Sequence, residues 1–486
     1  MLKTVSKYDK VEKFNEDIIV NFRKNDSMVD YLVDVCKALE AVEYIKYDGY
    51  EIIENEYEFP IKASPTLPID DSRLYLAIFK FTLTKDGKVE KVKLPLYLPK
   101  LINGYYYILA GSKYYAIYQN VDSATYNTGS CVILKSMLMP IIVKAEKKSF
   151  ISVGGEKVSG RIFSLNMFKR IINIMYYYFA IGGLTKTLKY FNLDKLISYK
   201  GIDDISEDKA KNSKKFLYFA IGKTGYLKVN RDILNDKEAK NYLITILDIF
   251  KKRTDINNLE DVKCWKIKLG ALFTTNNNNQ LHKSKTILIS LRRILDDRTK
   301  KNLHINEKDK KNIFSTIRWI TNNFDTLMNM NNFSLENKRL RLSEYMLTPF
   351  TRYMSNKTYR LLNSRTLKMS KIKGIFRVNP MTIISDLQVS DLLRYCNAVN
   401  DNDIFNCGVK FSNRGPQALG EGSKKTVSIY YRGIHSSHFG RLSLNSCSSN
   451  DPGLSGCLTP FVETHGLYYA KEDVITSKSE NEEQLM

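Results

Sequence analysis

The chain has 486 residues, of which 43% are hydrophobic and 26% charged, so it is not a disordered tail and can bury more than one core. Its 75 lysines and arginines against 52 aspartates and glutamates give a formal net charge of +23. An excess of that size favours nucleic acid as a partner, although codon bias in an AT-rich genome would produce a similar composition.

The sequence also bears on the compartment in which the protein works. Seven cysteines are scattered without a Cys-x-x-Cys pair, which fits free thiols in a reducing environment. The N-terminal segment MLKTVSKYDK lacks the apolar core of a signal peptide. The longest apolar run, from Ile171 to Leu184, is shorter than the ~20 residues that span a bilayer. We therefore expect a soluble cytoplasmic protein without a membrane partner.

The first region of the chain changes from helical to strand periodicity. SMVDYLVDVCKALEAVEYI repeats apolar residues at helical spacing, whereas LYLAIFKFTLTKDGKVEKVKLPLYLP carries apolar runs on both sides of Asp86-Gly87. This dipeptide favours a tight hairpin because it tolerates positive φ angles. A second strand pair, YYYILAGSKYYAIY, is predicted to turn at Ala110-Gly111-Ser112. The region is therefore predicted to be α+β, with a largely antiparallel sheet.

The rest of the chain is predicted to be mixed, then mostly helical, and finally rich in short strands and loops. Helical spacing recurs in KNYLITILDIFKKR, TILISLRRILDD, NIFSTIRWITNNFDTLM, NKRLRLSEYMLTPFTRYM and ISDLQVSDLLRYCNAV. TTNNNNQ, from Thr274 to Gln280, is a polar low-complexity segment and is predicted to be a surface loop. Beyond Asp401 the chain is rich in Gly, Ser and Asn, as in loops that present polar functional groups.

The segment YYRGIHSSHFGRLSLNSC is the most informative for function, because it holds two of the five histidines, His435 and His438. With Cys447 and Cys457 they supply nitrogen and sulfur ligands suited to zinc. Nine residues separate the two thiols, however, whereas structural zinc sites usually use closer pairs. A serine or cysteine activated by a neighbouring histidine is a second interpretation, and the sequence offers no G-x-S-x-G elbow for it.

A third interpretation treats the segment as a loop that faces a polyanion. Two arginines and two histidines recur at every third residue, and two lysines lie upstream in GEGSKKT. These residues are Arg432, His435, His438 and Arg441, preceded by Lys424 and Lys425. Basic side chains on flexible backbone can follow phosphates without reading bases. Of the three interpretations, only this one also explains the net charge.

At these residues the sequence resembles the β subunit of multisubunit RNA polymerases. The family pattern R-x-V-H-P-T-H-Y-G-R is matched by RGIHSSHFGR, with identities at Arg432, His435, His438, Gly440 and Arg441. Just upstream, RGPQALGEG is similar to R-x-x-S-A-L-G-P-G-G, which begins the fork loop in the family. After the first motif the chain departs from the family, whose E-T-P-E-G-P glutamates are replaced around Ser446 and Ser449.

Two earlier segments extend the resemblance. NKRLRLSEYM resembles N-R-R-[IL]-R-x-x-G-E, with three residues in register and the glutamate, Glu344, one place early. GYYYILAGSKYYAIYQ resembles G-x-F-I-I-N-G-x-E-x-V-x-x-x-Q, in which Gln119 is the final residue. The matches occur in the order of the family, so the resemblance covers most of the chain.

The resemblance implies an α+β, multidomain fold with a β-subunit-like protrusion and lobe, followed by a fork region of short strands and loops. The first part of the protrusion is expected at 1–140, the lobe at 141–330 and the helical return of the protrusion at 331–395. The fork region and the start of the active-centre half are expected at 396–486. Because the chain stops where a full β subunit would be half complete, it resembles the N-terminal part of a split β subunit of large tailed phages.

The implied function is that of a DNA-directed RNA polymerase subunit that is not catalytic alone. The resemblance implies Mg²⁺ bound by the β′ part, and neither a catalytic residue nor a metal ligand in this chain. It implies as partners the C-terminal β part, the β′ parts, the DNA template and the RNA transcript, with a promoter-recognition subunit left open. The expected location is the cytoplasm of the infected bacterial host, or the virion. A stand-alone basic DNA-binding protein and a zinc-dependent nuclease remain alternatives.

The resemblance also assigns roles to individual residues. Contact with nucleic acid is expected at Arg414, Lys424, Lys425, Arg432 and Arg441. Structural support of the fork or of the active centre is expected at His435, His438, Gly440 and Gln417. For the two histidines, hydrogen bonds that brace the fork are the favoured role, ahead of contact with phosphate or substrate.

Overall fold

The architecture of the chain is given by a computed structural model. It describes residues 27–54, 72–102, 106–116, 118–167, 170–201, 213–222, 225–251, 259–303, 305–332, 334–364, 368–389, 393–395, 410–412, 435–439, 441–443, 455–458, 464–465 and 468–469. Helices and mostly antiparallel strands are mixed throughout these residues, which confirms the α+β class.

The described residues of the N-terminal part form a helix followed by a series of strands. Helix α1 covers Met28–Ala38, and the Ser27 side chain caps it by accepting a hydrogen bond from the Asp30 N–H at 3.0 Å. The strands are β1 (Ile45–Ile53), β2 (Leu74–Lys85), β3 (Lys88–Pro99), β4 (Leu101–Ile102), β5 (Tyr106–Leu109), β6 (Ser112–Ala116), β7 (Tyr118–Asp122), β8 (Thr125–Asn127) and β9 (Cys131–Lys135). The helix predicted from the segment SMVDYLVDVCKALEAVEYI is thus confirmed over Met28–Ala38. The last residue of that segment, Ile45, is instead the first residue of β1.

Both predicted hairpins are confirmed. Strands β2 and β3 pair along their whole length around Asp86 and Gly87, whose φ angles are 50° and 75°. Positive φ at both central residues gives the turn the twist that antiparallel strands require. Strands β5 and β6 are joined in the same way by Ala110 and Gly111, and Ser112 is already the first residue of β6.

The middle of the chain continues with strands and then becomes helical. The strands are β10 (Pro140–Ile151), β11 (Lys157–Met167), β12 (Arg170–Asn173), β13 (Ile197–Gly201), β14 (Phe216–Ile221) and β15 (Gly225–Asn230), with helix α2 (Met175–Tyr190) between β12 and β13. The helices are α3 (Lys237–Lys251), α4 (Val262–Ala271), α5 (Asn277–Arg293), α6 (Asp297–Lys301), α7 (Glu307–Lys310), α8 (Ile313–Asn322) and α9 (Phe324–Met328). The three helices predicted here are confirmed in α3, α5 and α8–α9.

The loop predicted over TTNNNNQ is wrong in its second half. Helix α5 begins at Asn277 because the Asn276 side chain accepts a hydrogen bond from the Asn278 N–H at 3.1 Å. Asparagine is among the best capping residues, so this polar run starts a helix instead of extending the loop.

The last part contains β16 (Lys338–Arg341), α10 (Ser343–Met346), α11 (Thr348–Asn363), α12 (Met369–Lys373), α13 (Thr382–Val389), β17 (Leu393–Tyr395), β18 (Lys410–Ser412), β19 (Leu442–Ser443), β20 (Ser455–Leu458), β21 (Thr464–His465) and β22 (Tyr468–Tyr469). The helical prediction is therefore wrong at β16 and β17. These short segments pair with β7 and β6, and pairing with a distant strand outweighs local helical spacing.

Among the described residues the strands form five sheets. Three of them have the orders β1-β2-β3, β13-β15-β14 and β17-β6-β5-β4, and a fourth has the order β12-β11-β10-β9-β8. The fifth has the order β19-β20-β18-β7-β16-β22-β21, in which β18 and β7 form the one parallel pair. This seven-stranded sheet joins the first region, the segment after the helices and the C-terminal strands. The predicted boundary at residue 140 falls where β10 begins, inside the fourth sheet, and the division into domains stays a prediction.

Apolar contacts bring the segment after α11 back to the N-terminal sheet. The ring of Phe81 in β2 lies 4.5 Å from that of Phe376, centroid to centroid, and the Tyr97 N–H donates to the Pro380 carbonyl at 3.0 Å.

Cys36, among the cysteines that the structure describes, is a buried free thiol. Of the helices within the described ranges, none has the length and apolar character of a membrane span.

Candidate functional site

Strand β16 is the place where the segments singled out from the sequence meet. It pairs with β7, and Arg341 lies opposite Gln119 in this pairing. The residue Leu335, just before β16, is bonded to the turn that contains His435 and His438. Three segments more than 90 residues apart along the chain, each of which resembles the β subunit, therefore contact one another.

The segment from His435 to His438 folds as a 3₁₀ turn that its own imidazoles cap. The Ser437 N–H donates to Nδ1 of His435 at 3.2 Å, and the His435 N–H donates to Nδ1 of His438 at 3.5 Å. The ring centroids are 6.4 Å apart. His438 is buried and His435 is half-buried. Both histidines thus satisfy backbone donors at the ends of a tight turn, and the role predicted for them in bracing a polymerase fork stays a prediction.

Ser437 and Arg441 fix this turn to its surroundings. The Oγ of Ser437 accepts a hydrogen bond from the Leu335 N–H at 3.0 Å and lies 2.9 Å from Nδ1 of His435. Arg441 donates from Nη1 to the Ser437 carbonyl at 3.3 Å, and only 8% of Arg441 is exposed. The side chain of Arg441 is therefore held inside the chain. Its predicted contact with nucleic acid is not tested by this geometry and stays a prediction.

The described geometry contains no observation in favour of zinc. Within the ranges that the structure describes, no three His, Cys, Asp or Glu side chains are grouped so that they could hold a metal ion. The Nδ1 atoms of His435 and His438 are engaged in the turn, and Cys447 lies outside the described residues.

The other six predicted site residues lie outside the described residues as well. They are Arg414, Gln417, Lys424, Lys425, Arg432 and Gly440. The roles predicted for them stay predictions.

The second part of the site is a buried ion cluster, which we define as Gln119, Lys135, Arg339, Arg341 and Glu344. Arg339 donates to both carboxylate oxygens of Glu344, from Nη1 to Oε2 at 2.6 Å and from Nη2 to Oε1 at 2.8 Å. The Nζ of Lys135 lies 2.7 Å from Oε1, and Nη1 of Arg341 lies 3.4 Å from the same oxygen. The Nε of Arg341 donates to Oε1 of Gln119 at 2.5 Å.

The strand geometry explains why these charges converge. Arg339 and Arg341 are two residues apart in β16, so their side chains leave the same face of the strand, while Leu340 between them packs into the core. Helix α10 begins at Ser343 and turns the next side chain, Glu344, back towards that face. Glu344 therefore reaches both arginines, although it stands one place early relative to the family pattern.

The pKa values of the cluster show how the charges support one another. Burial alone would raise the pKa of Glu344, but the positive charges of Arg339, Lys135 and Arg341 outweigh it and hold the pKa well below its ordinary value. For Lys135 the effect of burial on the pKa is larger than the effect of the neighbouring charges. Burial lowers its pKa to about 8, because attraction to Glu344 is opposed by repulsion from Arg341 and Arg339. Glu344 carries the single negative charge of the cluster.

Four of the five residues, Gln119, Arg339, Arg341 and Glu344, belong to the two motifs of the resemblance, but the sequence predicted neither a site role for them nor their contact. Sequence reasoning also missed Lys135, which ends the segment CVILK and has no feature that separates it from the many other lysines of the chain. Lys135 lies in the fourth sheet and Glu344 follows β16 of the fifth, so only the tertiary contact between these parts of the fold places the amino group beside the carboxylate.

Replacing Glu344 by Gln should lower the free energy of unfolding by about 3–5 kcal/mol, because two buried guanidiniums and Lys135 lose their counter-ion. Urea denaturation followed by circular dichroism measures this. Glu307→Gln is the matched control, since the Glu307 side chain is 89% exposed in its pair with Lys310 and should matter little. Equal losses in both variants would contradict the assignment.

The same carboxylate should make stability depend on acid. The pKa of Glu344 in the folded chain lies below its ordinary value of 4.5, so its contribution is complete above about pH 4.5 and is lost as pH falls through the folded pKa. We expect the stability difference between wild type and Glu344→Gln to shrink progressively below about pH 4.5 in urea titrations. A difference that stays constant down to pH 3 would show that Glu344 is not the group that titrates.

Comparison with known proteins connects this geometry to a family. The family model described as "Non-virion RNA polymerase subunit" matches residues 2–471, a range that contains β7, β16 and the histidine turn. No curated protein matches the sequence. Because the match covers nearly the whole chain, the likeness to RNA polymerase does not rest on short motifs alone. The chain belongs to the family of non-virion RNA polymerase subunits.

Proposed function

We propose that the chain is the N-terminal part of a split β subunit and forms one side of the channel for DNA and the RNA–DNA hybrid. The observation that carries this proposal is the convergence on β16 of three segments that resemble the β subunit. Gln119, the Arg339–Glu344 pair and Ser437 come from separate matches, yet all lie in or against this strand. Similarity produced by codon bias alone would not be expected to assemble in this way.

In this proposal the basic residues of the fork region lie near nucleic acid. Arg414, Lys424, Lys425 and Arg432 supply positive charge for phosphates, which gives affinity that depends on salt and not on sequence. Arg441 acts from inside the chain, where its bond to the Ser437 carbonyl holds the turn of His435 and His438. Gly440 and Gln417 belong to the same support of the fork.

The catalytic metal belongs to another polypeptide in this proposal. Nucleotidyl transfer uses Mg²⁺ to neutralise the charge that develops on the reacting phosphate, and we assign its binding to aspartates of the β′ part. The chain itself then positions nucleic acid, as a subunit that is inactive alone.

The partners follow from the same assignment. They are the C-terminal β part, the β′ parts, the DNA template and the RNA transcript. Whether a promoter-recognition subunit also binds is left open. The family description specifies a non-virion polymerase, which supports action in the infected bacterial cell over action from the virion.

Co-purification tests the proposal. An affinity-tagged chain expressed during infection should be recovered with several other large polypeptides, and nuclease treatment should leave them bound because protein interfaces hold the assembly. The purified assembly should synthesise RNA from a DNA template. Recovery of the chain as a free monomer would contradict the proposal and favour a stand-alone DNA-binding protein.

Replacing Arg441 by Ala should slow elongation by the assembled enzyme about tenfold, the equivalent of about 1.4 kcal/mol, because a charged donor to the turn is lost. Assembly itself should persist, since the cluster around Glu344 is unchanged. The control is Ser436→Ala in the same turn, where the side chain is exposed. Elongation by the Arg441 variant at the rate of this control would show that the arginine has no positioning role.

A further inference from the structure

A cleft of about 350 Å³ opens beside the buried ion cluster. The segment after β9 and helices α6 and α11 contribute to its wall. Among the charged residues that the structure describes in its lining, five are basic and one, Glu344, is acidic. The basic residues are Lys135, Arg298, Arg339, Arg341 and Arg352.

The nearby carboxylates do not balance this charge. Glu344 is shared by Arg339, Lys135 and Arg341, as described above. Asp34, on helix α1, pairs with Arg298 at 3.0 Å. Asp296 is buried behind the cleft wall, where it accepts hydrogen bonds from the Met137 N–H and from Thr299. Among the described residues, positive charge therefore exceeds negative charge at this partly buried site, which is costly unless a further anion is present.

Arg341 gives the most specific indication of such an anion. It is 2% exposed, and its Nε and Nη1 donate to Gln119 and Glu344. Its Nη2 is buried and has no hydrogen-bond partner among the described residues. Since a buried charged donor without an acceptor is strongly unfavourable, the geometry calls for an acceptor in the cleft that Arg341 lines.

We propose that this cleft binds a phosphate group, carried by a nucleotide or by nucleic acid. Phosphate offers several oxygens to guanidinium groups, which bind it in paired hydrogen bonds. Arg341 lies at the buried end of the cleft and Arg352, an exposed residue of α11, at its open side. The volume is in the range of small-molecule sites, and the half-buried Tyr126 in the wall offers aromatic surface to a base.

None of the described residues that line this cleft belongs to the predicted fork region, and the existence of the site does not depend on the β-subunit role proposed above. Every residue that lines it belongs to this chain, so the full-length purified chain is sufficient for a binding test. A failure of the chain to join a polymerase would leave such a test unaffected.

Isothermal titration of the full-length chain with inorganic phosphate, adenosine monophosphate and a short oligothymidylate tests the proposal. We expect saturable binding of the mononucleotide or the oligonucleotide, tighter than that of inorganic phosphate. Tightest binding of the mononucleotide identifies a nucleotide site, and tightest binding of the oligonucleotide identifies a nucleic-acid site. Binding of inorganic phosphate alone, or of no probe, overturns the proposal.

Arg352→Gln should weaken this binding about tenfold, because one charged donor is removed from the cleft. Arg360→Gln is the matched control: it removes the same charge from an exposed position of the same helix, outside the cleft lining. Equal weakening in the two variants would indicate general attraction to a basic chain and overturn the site. Arg341→Lys, checked for folding by circular dichroism, should also weaken binding, because it keeps the charge and removes Nη2.

Discussion

The ion pairs of the Glu344 carboxylate are the interaction on which the centre of this structure depends. This carboxylate binds both guanidiniums of β16 and the amino group of Lys135, and these groups come from parts of the chain about 200 residues apart. Buried cations of this kind are stable only while their counter-ion is present and charged. The strand that the carboxylate fixes is paired with β7 on one side and with β22 on the other, so one acidic side chain holds the middle of the seven-stranded sheet.

The turn that contains His435 and His438 depends on that sheet. Ser437 is bonded to the Leu335 N–H, three residues before β16 begins, and its backbone is bonded to His435 and Arg441. The turn therefore takes its position from the strand, and the imidazoles serve to close the turn. A metal or proton-transfer role is not needed to explain why two histidines stand three residues apart. If the proposed function is correct, the position of the fork depends on a charge cluster in the interior of the same chain, because this cluster holds the strand next to the turn.

The net charge of the chain also has a more specific meaning in the structure. Part of the basic excess is turned inwards, where Arg339 and Arg341 are almost fully buried, and is not spread over the surface. Codon bias towards lysine does not account for an arginine, Arg339, that is held bidentately by a buried glutamate. The cleft beside them, lined by Arg298 and Arg352 as well, extends this inward charge to a place that a ligand can reach.

The sequence alone determined the α+β class, the two hairpins, the main helices and the segments that carry the site, because each depends on local chemistry. Asp86-Gly87 turns the chain whatever surrounds it, and the periodicity of α3 or α8 is visible within a dozen residues. The tertiary structure decided what these segments contact. Arg339 and Arg341 lie in a segment with helical spacing, yet they form a strand because they pair with β7. Lys135 has no distinguishing feature in the sequence, and tertiary contact between two different sheets brings it to Glu344. Pairing between distant strands and the burial of charge are properties of the whole fold, so no local pattern encodes them.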